Sequence, residues 1–120
     1  MISPISSALS GLNAASKRVA VSADNIANQF SKNYVPQRAG QVSLGAGGIQ
    51  TIVTPINPPT VTVFNPADPD ADANGAVQLP NVDVANELAN MMVASYDFKA
   101  NLKSIKVTDK MQQSLLDILA

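Results

Sequence analysis

The chain has 120 residues, 46% of them hydrophobic, and a formal net charge of −1; this is the length of one domain, with three phenylalanines, two tyrosines and no tryptophan to fill it. Cysteine and histidine are both absent, so disulfides, the usual nucleophile and base pairs, zinc sites and neutral-pH switches have no parts to be made from. The composition implies no cofactor and no enzyme, and a compact core would be marginal.

Ser3 followed by Pro4 is a helix entrance, because serine caps and proline is tolerated in the first turn. The helix is predicted to run to about Asn28. Ile2, Ile5, Leu9, Leu12, Val19, Ile26 and Phe30, with Ser16 and Ala23 in the gaps, recur at alternating steps of three and four. That spacing draws a narrow stripe that calls for another helix. Ala8, Ala14, Ala15, Ala20 and Ala27 lie beside it and let a second backbone come close. Asn25 and Asn28 add nothing to helix propensity, so their amides are assigned to capping or to contacts across an interface.

Residues 31–80 change character as proline and glycine become frequent. Val42 and Leu44, then Ile49, Ile52 and Val53, then Val61, Val63 and Phe64 read as three short strands, separated by Gly45 to Gly48 and by Pro55, Pro58 and Pro59. The expectation is a small irregular β-hairpin insert; the alternative is a segment ordered only by a neighbour. The run Asp70-Ala-Asp-Ala-Asn-Gly75 has the early oxygen spacing of a calcium loop. Asn81 stands where a bidentate glutamate is needed, and Pro66 and Pro69 replace the incoming helix, so Asn74-Gly75 is read as a turn with solvated acids.

From Asn81 to Ala120 there is neither proline nor glycine. One long helix is predicted, capped by Asn81, with Asp83 and Glu87 favoured by the positive end of its dipole. Val84, Leu88, Met91, Ser95, Phe98, Leu102 and Ile105 form the partner stripe. Beyond Ile105 the stripe jumps to Met111, Leu115, Leu116, Ile118 and Leu119, so the last turns are expected to face something else. At 1.5 Å per residue this helix approaches roughly 60 Å, too long to be buried by this chain alone.

Charge is segregated. Lys17, Arg18, Lys32 and Arg38 face one acid, Asp24, in residues 1–38; residues 39–98 hold no base; Lys99, Lys103, Lys106 and Lys110 then line one side of the second helix. That lysine side is either solvated or opposed by the 68–72 acids of another copy. No basic excess or interleaved aromatics mark a nucleic-acid surface. No stretch approaches a membrane span and no cleavable signal pattern is present, so neither membrane insertion nor general secretion is expected.

The combination of Ser10-Gly11-Leu12, then Asn25-Ile26-Ala27-Asn28, then Ser31 and Tyr34 resembles the axial proteins of the bacterial flagellum, the rod and hook family. Pro80-Asn81-Val82-Asp83-Val84, followed by Glu87, Leu88, Met91, Ala94, Ser95, Ala100 and Asn101, is similar to the proximal rod class of that family. Ser31 replaces the commoner threonine, and Tyr96 stands where an arginine is usual, so a contact made by that arginine is not carried over.

The resemblance implies a mainly α protein in which long N- and C-terminal helices, residues 1–30 and 81–120, pair as a coiled coil around a 31–80 insert. It implies a structural subunit of the proximal rod, polymerising into the drive shaft for motility. Its partners would be copies of itself, other flagellar rod proteins, the basal-body ring and the flagellar type III export apparatus. Its place would be within the periplasm, reached without a cleaved signal. The interface residues expected from stripe and motif together are Ile5, Leu9, Leu12, Val19, Asn25, Ile26, Asn28, Leu88, Met91, Phe98, Asn101, Leu102 and Ile105. A soluble helical adaptor or secretion chaperone that binds a partner helix in the same groove is the alternative.

Overall fold

The computed structural model describes residues 4–45 and 47–119, the last of these by its backbone alone. The predicted cap Ser3 and stripe position Ile2 lie outside the described residues. Two helices, α1 (Pro4–Ala27) and α2 (Val84–Leu119), flank four strands, β1 (Gln37–Ser43), β2 (Ile49–Pro55), β3 (Thr60–Phe64) and β4 (Ala76–Pro80). The fold is mainly α with two small antiparallel sheets. The molecule measures 79 × 25 × 15 Å and has a radius of gyration of 20.8 Å, against about 14 Å for a compact chain of this length.

The helices run antiparallel. Gly11 lies against Asn101, Arg18 pairs with Asp97, and Asn25 bonds to Glu87, so rising numbers on α1 meet falling numbers on α2. α2 starts later than expected. Asp83, not Asn81, is its cap: Asp83 Oδ1 accepts the backbone amides of Ala85 and Asn86 at 3.0 and 3.2 Å. Asn81 is instead drawn to the preceding loop, where its Nδ2 donates to the Pro58 carbonyl at 3.0 Å and its backbone amide to that of Pro59 at 2.9 Å.

β1 and β2 form a hairpin with Gln37 opposite Pro55 and Ser43 opposite Ile49. Gly47 and Gly48 take positive φ in its turn, a conformation that favours glycine. The hairpin lies along α1: the Ile49 amide donates to Ser10 Oγ at 3.1 Å and Thr51 Oγ1 to the Ala14 carbonyl at 3.5 Å. β3 and β4 form a second hairpin, with Thr60 opposite Pro80 and Phe64 opposite Ala76. Among the described residues the insert therefore has four strands where the sequence marks three. Asp72 organises the return turn, its Oδ1 accepting the Asn74 and Ala76 amides at 2.8 and 2.9 Å while Gly75 takes φ 76°. Lys32 ties this loop back toward α1 through an ion pair with Asp70 at 2.5 Å.

The core is thin. Among the described residues the buried apolar core is Ala8, Ala14, Ala15, Val21, Val77 and Ala94, with Pro36 fully buried beside it, and alanine brings only a methyl group out of water.

Candidate functional site

The two halves of the chain are joined at Asn25, which is 0% exposed near the end of α1. Its Nδ2 donates to Glu87 Oε1 on α2 and to the Gln37 carbonyl on β1, each at 2.7 Å. Its Oδ1 accepts the Gln37 amide at 3.0 Å and the Tyr34 hydroxyl at 2.9 Å. Both donors and both acceptor positions of one amide are thus used, which is the condition for burying it without cost. Burial, and then the carboxylates of Asp24 and Glu87, hold the Tyr34 phenol above its ordinary 10.0, so it stays a donor.

Asn28 acts differently from Asn25. Its side chain donates to the Asp24 carbonyl at 2.9 Å and accepts from Ser31 Oγ at 3.1 Å, closing the last turn of α1. Of the two asparagines, one caps its own helix and the other reaches the second.

The side of α1 that meets α2 at Gly11, Arg18 and Asn25 runs Ala8, Gly11, Ala15, Arg18, Ser22, Asn25. It keeps the alternation of three and four but lies one residue before the predicted stripe at every step, a rotation of about 100°. On α2 the opposing side is Glu87, Met91, Ala94, Phe98, Asn101, Ile105 and Thr108. Met91, Phe98 and Ile105 are shared with the predicted stripe, whereas Leu88 and Leu102 turn to its flank.

The predicted interface residues divide accordingly. Asn25 is buried; Ile5, Leu12, Val19, Ile26, Asn28, Met91, Asn101 and Ile105 are half-buried. Leu9 and Leu88 are half in water, and Phe98 and Leu102 nearly so. The predicted interface set leaves out Gly11, Glu87 and Ala94, which the sequence reading names only in motifs or for the helix dipole, and the Arg18–Asp97 pair, whose Nη1 and Oδ2 stand 2.6 Å apart. On α1 the signal that finds Gly11 is a repeat of small residues, Ala8, Gly11, Ala15 and Ser22, at helical spacing beside the leucine stripe.

The same ends that build this junction match known proteins. Residues 5–34 match a family described as flagella basal body rod protein, and residues 73–118 match the C-terminal region of flagellar basal body rod FlgEFG proteins. The flagellar basal-body rod protein FlgC of Salmonella typhimurium is 36% identical over 121 residues, which span 91% of this chain and 90% of that one. The FlgC proteins of Agrobacterium fabrum and Bacillus subtilis are 32% and 30% identical, over 92% and 85% of this chain and 88% and 68% of theirs. Asn25, Tyr34 and Glu87 all fall inside the two family matches. The chain belongs to the flagellar basal-body rod protein FlgC family and is a structural subunit of the rod.

Proposed function

We propose that this subunit works by packing alone, with no catalytic step, and polymerises through its two terminal helices, which wind as an antiparallel coiled coil. The observation that carries the proposal is the one-residue offset at the junction. On α1 it is mainly small side chains, Ala8, Gly11, Ala15 and Ser22, that meet α2 within the chain, and Leu9, Leu88 and Leu102 stay 38–51% exposed. The chain exposes 8252 Å², against about 6,200 Å² for a compact protein of its mass. Surface of that kind is stabilised when copies cover it.

Copies of the chain are its first partners, followed by other rod proteins and the basal-body ring. Export by the flagellar type III apparatus without a cleaved signal suits a subunit whose leucine stripes are uncovered before assembly, and the assembled rod lies within the periplasm. Repetition of a heterologous contact with a helical step builds a shaft, and dense contact along it resists torque.

The test compares circular dichroism of the purified chain before and after assembly, with incorporation and swimming scored in cells. Helix content should rise on assembly. Leu12→Asp and Ile105→Asp should each abolish incorporation and motility. A monomer that melts cooperatively as a stable helical protein and never joins a filament would instead identify an adaptor.

A further inference from the structure

Asn74 is the one asparagine of the chain that is followed by glycine. Glycine leaves its own amide nitrogen unhindered, within reach of the carboxamide carbon of the residue before it. Asn74 is exposed, and among the described residues its carboxamide has no hydrogen-bond partner. The carbon open to attack is therefore at the surface, but the attacking nitrogen is held away from it. The Gly75 amide donates to the Asp72 carbonyl at 2.9 Å, and Gly75 is buried. A β-carbon on Gly75 would lie 2.9 Å from Phe64 Cε2 and 3.0 Å from Pro66 Cβ, so both side chains press against it. Its carbonyl accepts the Asn65 amide at 2.9 Å, and Asp72 Oδ1 holds the amides on either side, those of Asn74 and Ala76.

We propose that Asn74 is a site of spontaneous deamidation whose reactivity is set by whether the β3–β4 turn is closed. With the turn open, the Gly75 amide loses its proton to solvent base and the nitrogen attacks Asn74 Cγ. The N–Cγ bond forms, the Cγ–Nδ2 bond breaks, and Nδ2 takes a proton from solvent and leaves as ammonia. A cyclic succinimide remains, which water opens. Cleavage at Cγ gives aspartate; cleavage at the main-chain carbonyl gives isoaspartate, in which the backbone runs through Cγ. One water enters, one ammonia leaves, and nothing is oxidised or reduced. With the turn closed, the nitrogen is tied to the Asp72 carbonyl and shut away from base, so reaction waits on local opening.

The neighbours of other asparagines disfavour the same attack. Asn57 and Asn65 precede prolines, which have no amide proton. Asn86, Asn90 and Asn101 precede residues whose amides are bonded within α2. At Asn74 the isoaspartyl product has a structural consequence. It lengthens the main chain by one carbon inside the turn and adds a carboxylate beside Asp72. The turn cannot then keep both the Asn65–Gly75 bond and Phe64 opposite Ala76. A chain left unfolded thus loses the means to close this hairpin, whereas a folded one is protected by Asp72.

The full chain is incubated at mildly alkaline pH in buffer and in urea. Peptide mass spectrometry follows the gain of about 1 Da at Asn74, and enzymatic methylation reads isoaspartate. Conversion should be at least about tenfold slower in buffer, in step with protection of the Gly75 amide from hydrogen exchange. Asp72→Ala should bring the rate in buffer toward that in urea, and Asp72→Asn, which keeps the acceptor oxygen, should retain the protection. If Asp72→Ala unfolds the chain, the parent in buffer against urea carries the test. Equal rates in the two media would overturn the proposal, as would a Gly75 amide that exchanges in buffer as fast as in urea. Conversion of Asn33 or Asn81 in urea as fast as that of Asn74 would overturn it too.

Discussion

A β-carbon on Gly11 would lie 2.5 Å from Asn101 Oδ1 and 2.7 Å from its Cγ, so the helices approach where only hydrogen fits between backbone and amide. Glycine within a helix costs about 1 kcal/mol relative to alanine, a cost offset here by close packing. Asn101 is also held, since its Nδ2 donates to the Asp97 carbonyl at 2.8 Å. Gly11→Ala should therefore destabilise the assembled chain by about 1–2 kcal/mol despite its better propensity. In an Asn101→Ala background the same change should be neutral or stabilising by up to about 1 kcal/mol. Melting of the assembled variants in a double-mutant cycle measures the coupling.

Asn25→Ala should leave the Gln37 backbone groups, the Tyr34 hydroxyl and the buried Glu87 carboxylate short of partners. The expected loss is about 2–4 kcal/mol, more than one ordinary hydrogen bond, because several desolvated groups are stranded together. Asn25→Asp should be worse at neutral pH, since a carboxylate then faces Glu87 in place of a donor. Hydrogen exchange of the Gln37 amide would report the opening directly.

Tyr34 gives the junction a dependence on alkaline pH. Unfolded, its phenol loses a proton near 10.0; folded, it holds the proton to higher pH. Below 10 both states are protonated and the contribution is fully present. Above it the folded state binds more protons, so stability falls as pH rises. Relative to the parent, Tyr34→Phe should lose about 1 kcal/mol at neutral pH and show a shallower decline above pH 10. Melting curves of both chains across that range check the difference.

At the start of α2, Asp83→Ala should cost about 1 kcal/mol, the usual worth of a helix cap. Asn81→Ala should leave the helix start intact and loosen the loop that carries Pro58 and Pro59. Carbonyl and amide shifts of residues 84–87 separate the two outcomes.

Much of this protein is legible one residue at a time. Proline and glycine bound the helices, steps of three and four identify them as amphipathic, and Asn74-Gly75 marks its turn, because these features depend on local backbone preference. β4 escapes such a reading: Val77-Gln-Leu-Pro80 has too little alternation to announce a strand and is defined by its pairing with β3. Asn81 and Asp83 are equally good caps on paper. The nearby carbonyls of Pro58 and Pro59 take one and leave the other to the helix.

The stripes show the same division most plainly. Sequence by itself determined that each end of the chain is a helix with an apolar side and that the motif asparagines near residue 25 have work beyond propensity. Only the tertiary structure decided that α1 meets α2 through Ala8, Gly11 and Ala15, that Glu87 turns inward to Asn25, and that Leu9, Leu88 and Leu102 are left facing outward. The physical reason is distance. Hydrophobicity ranks side chains by what they gain from leaving water, whereas the close approach of α2 at Gly11 favours small side chains on the facing side of α1 and leaves Leu9, Leu88 and Leu102 exposed.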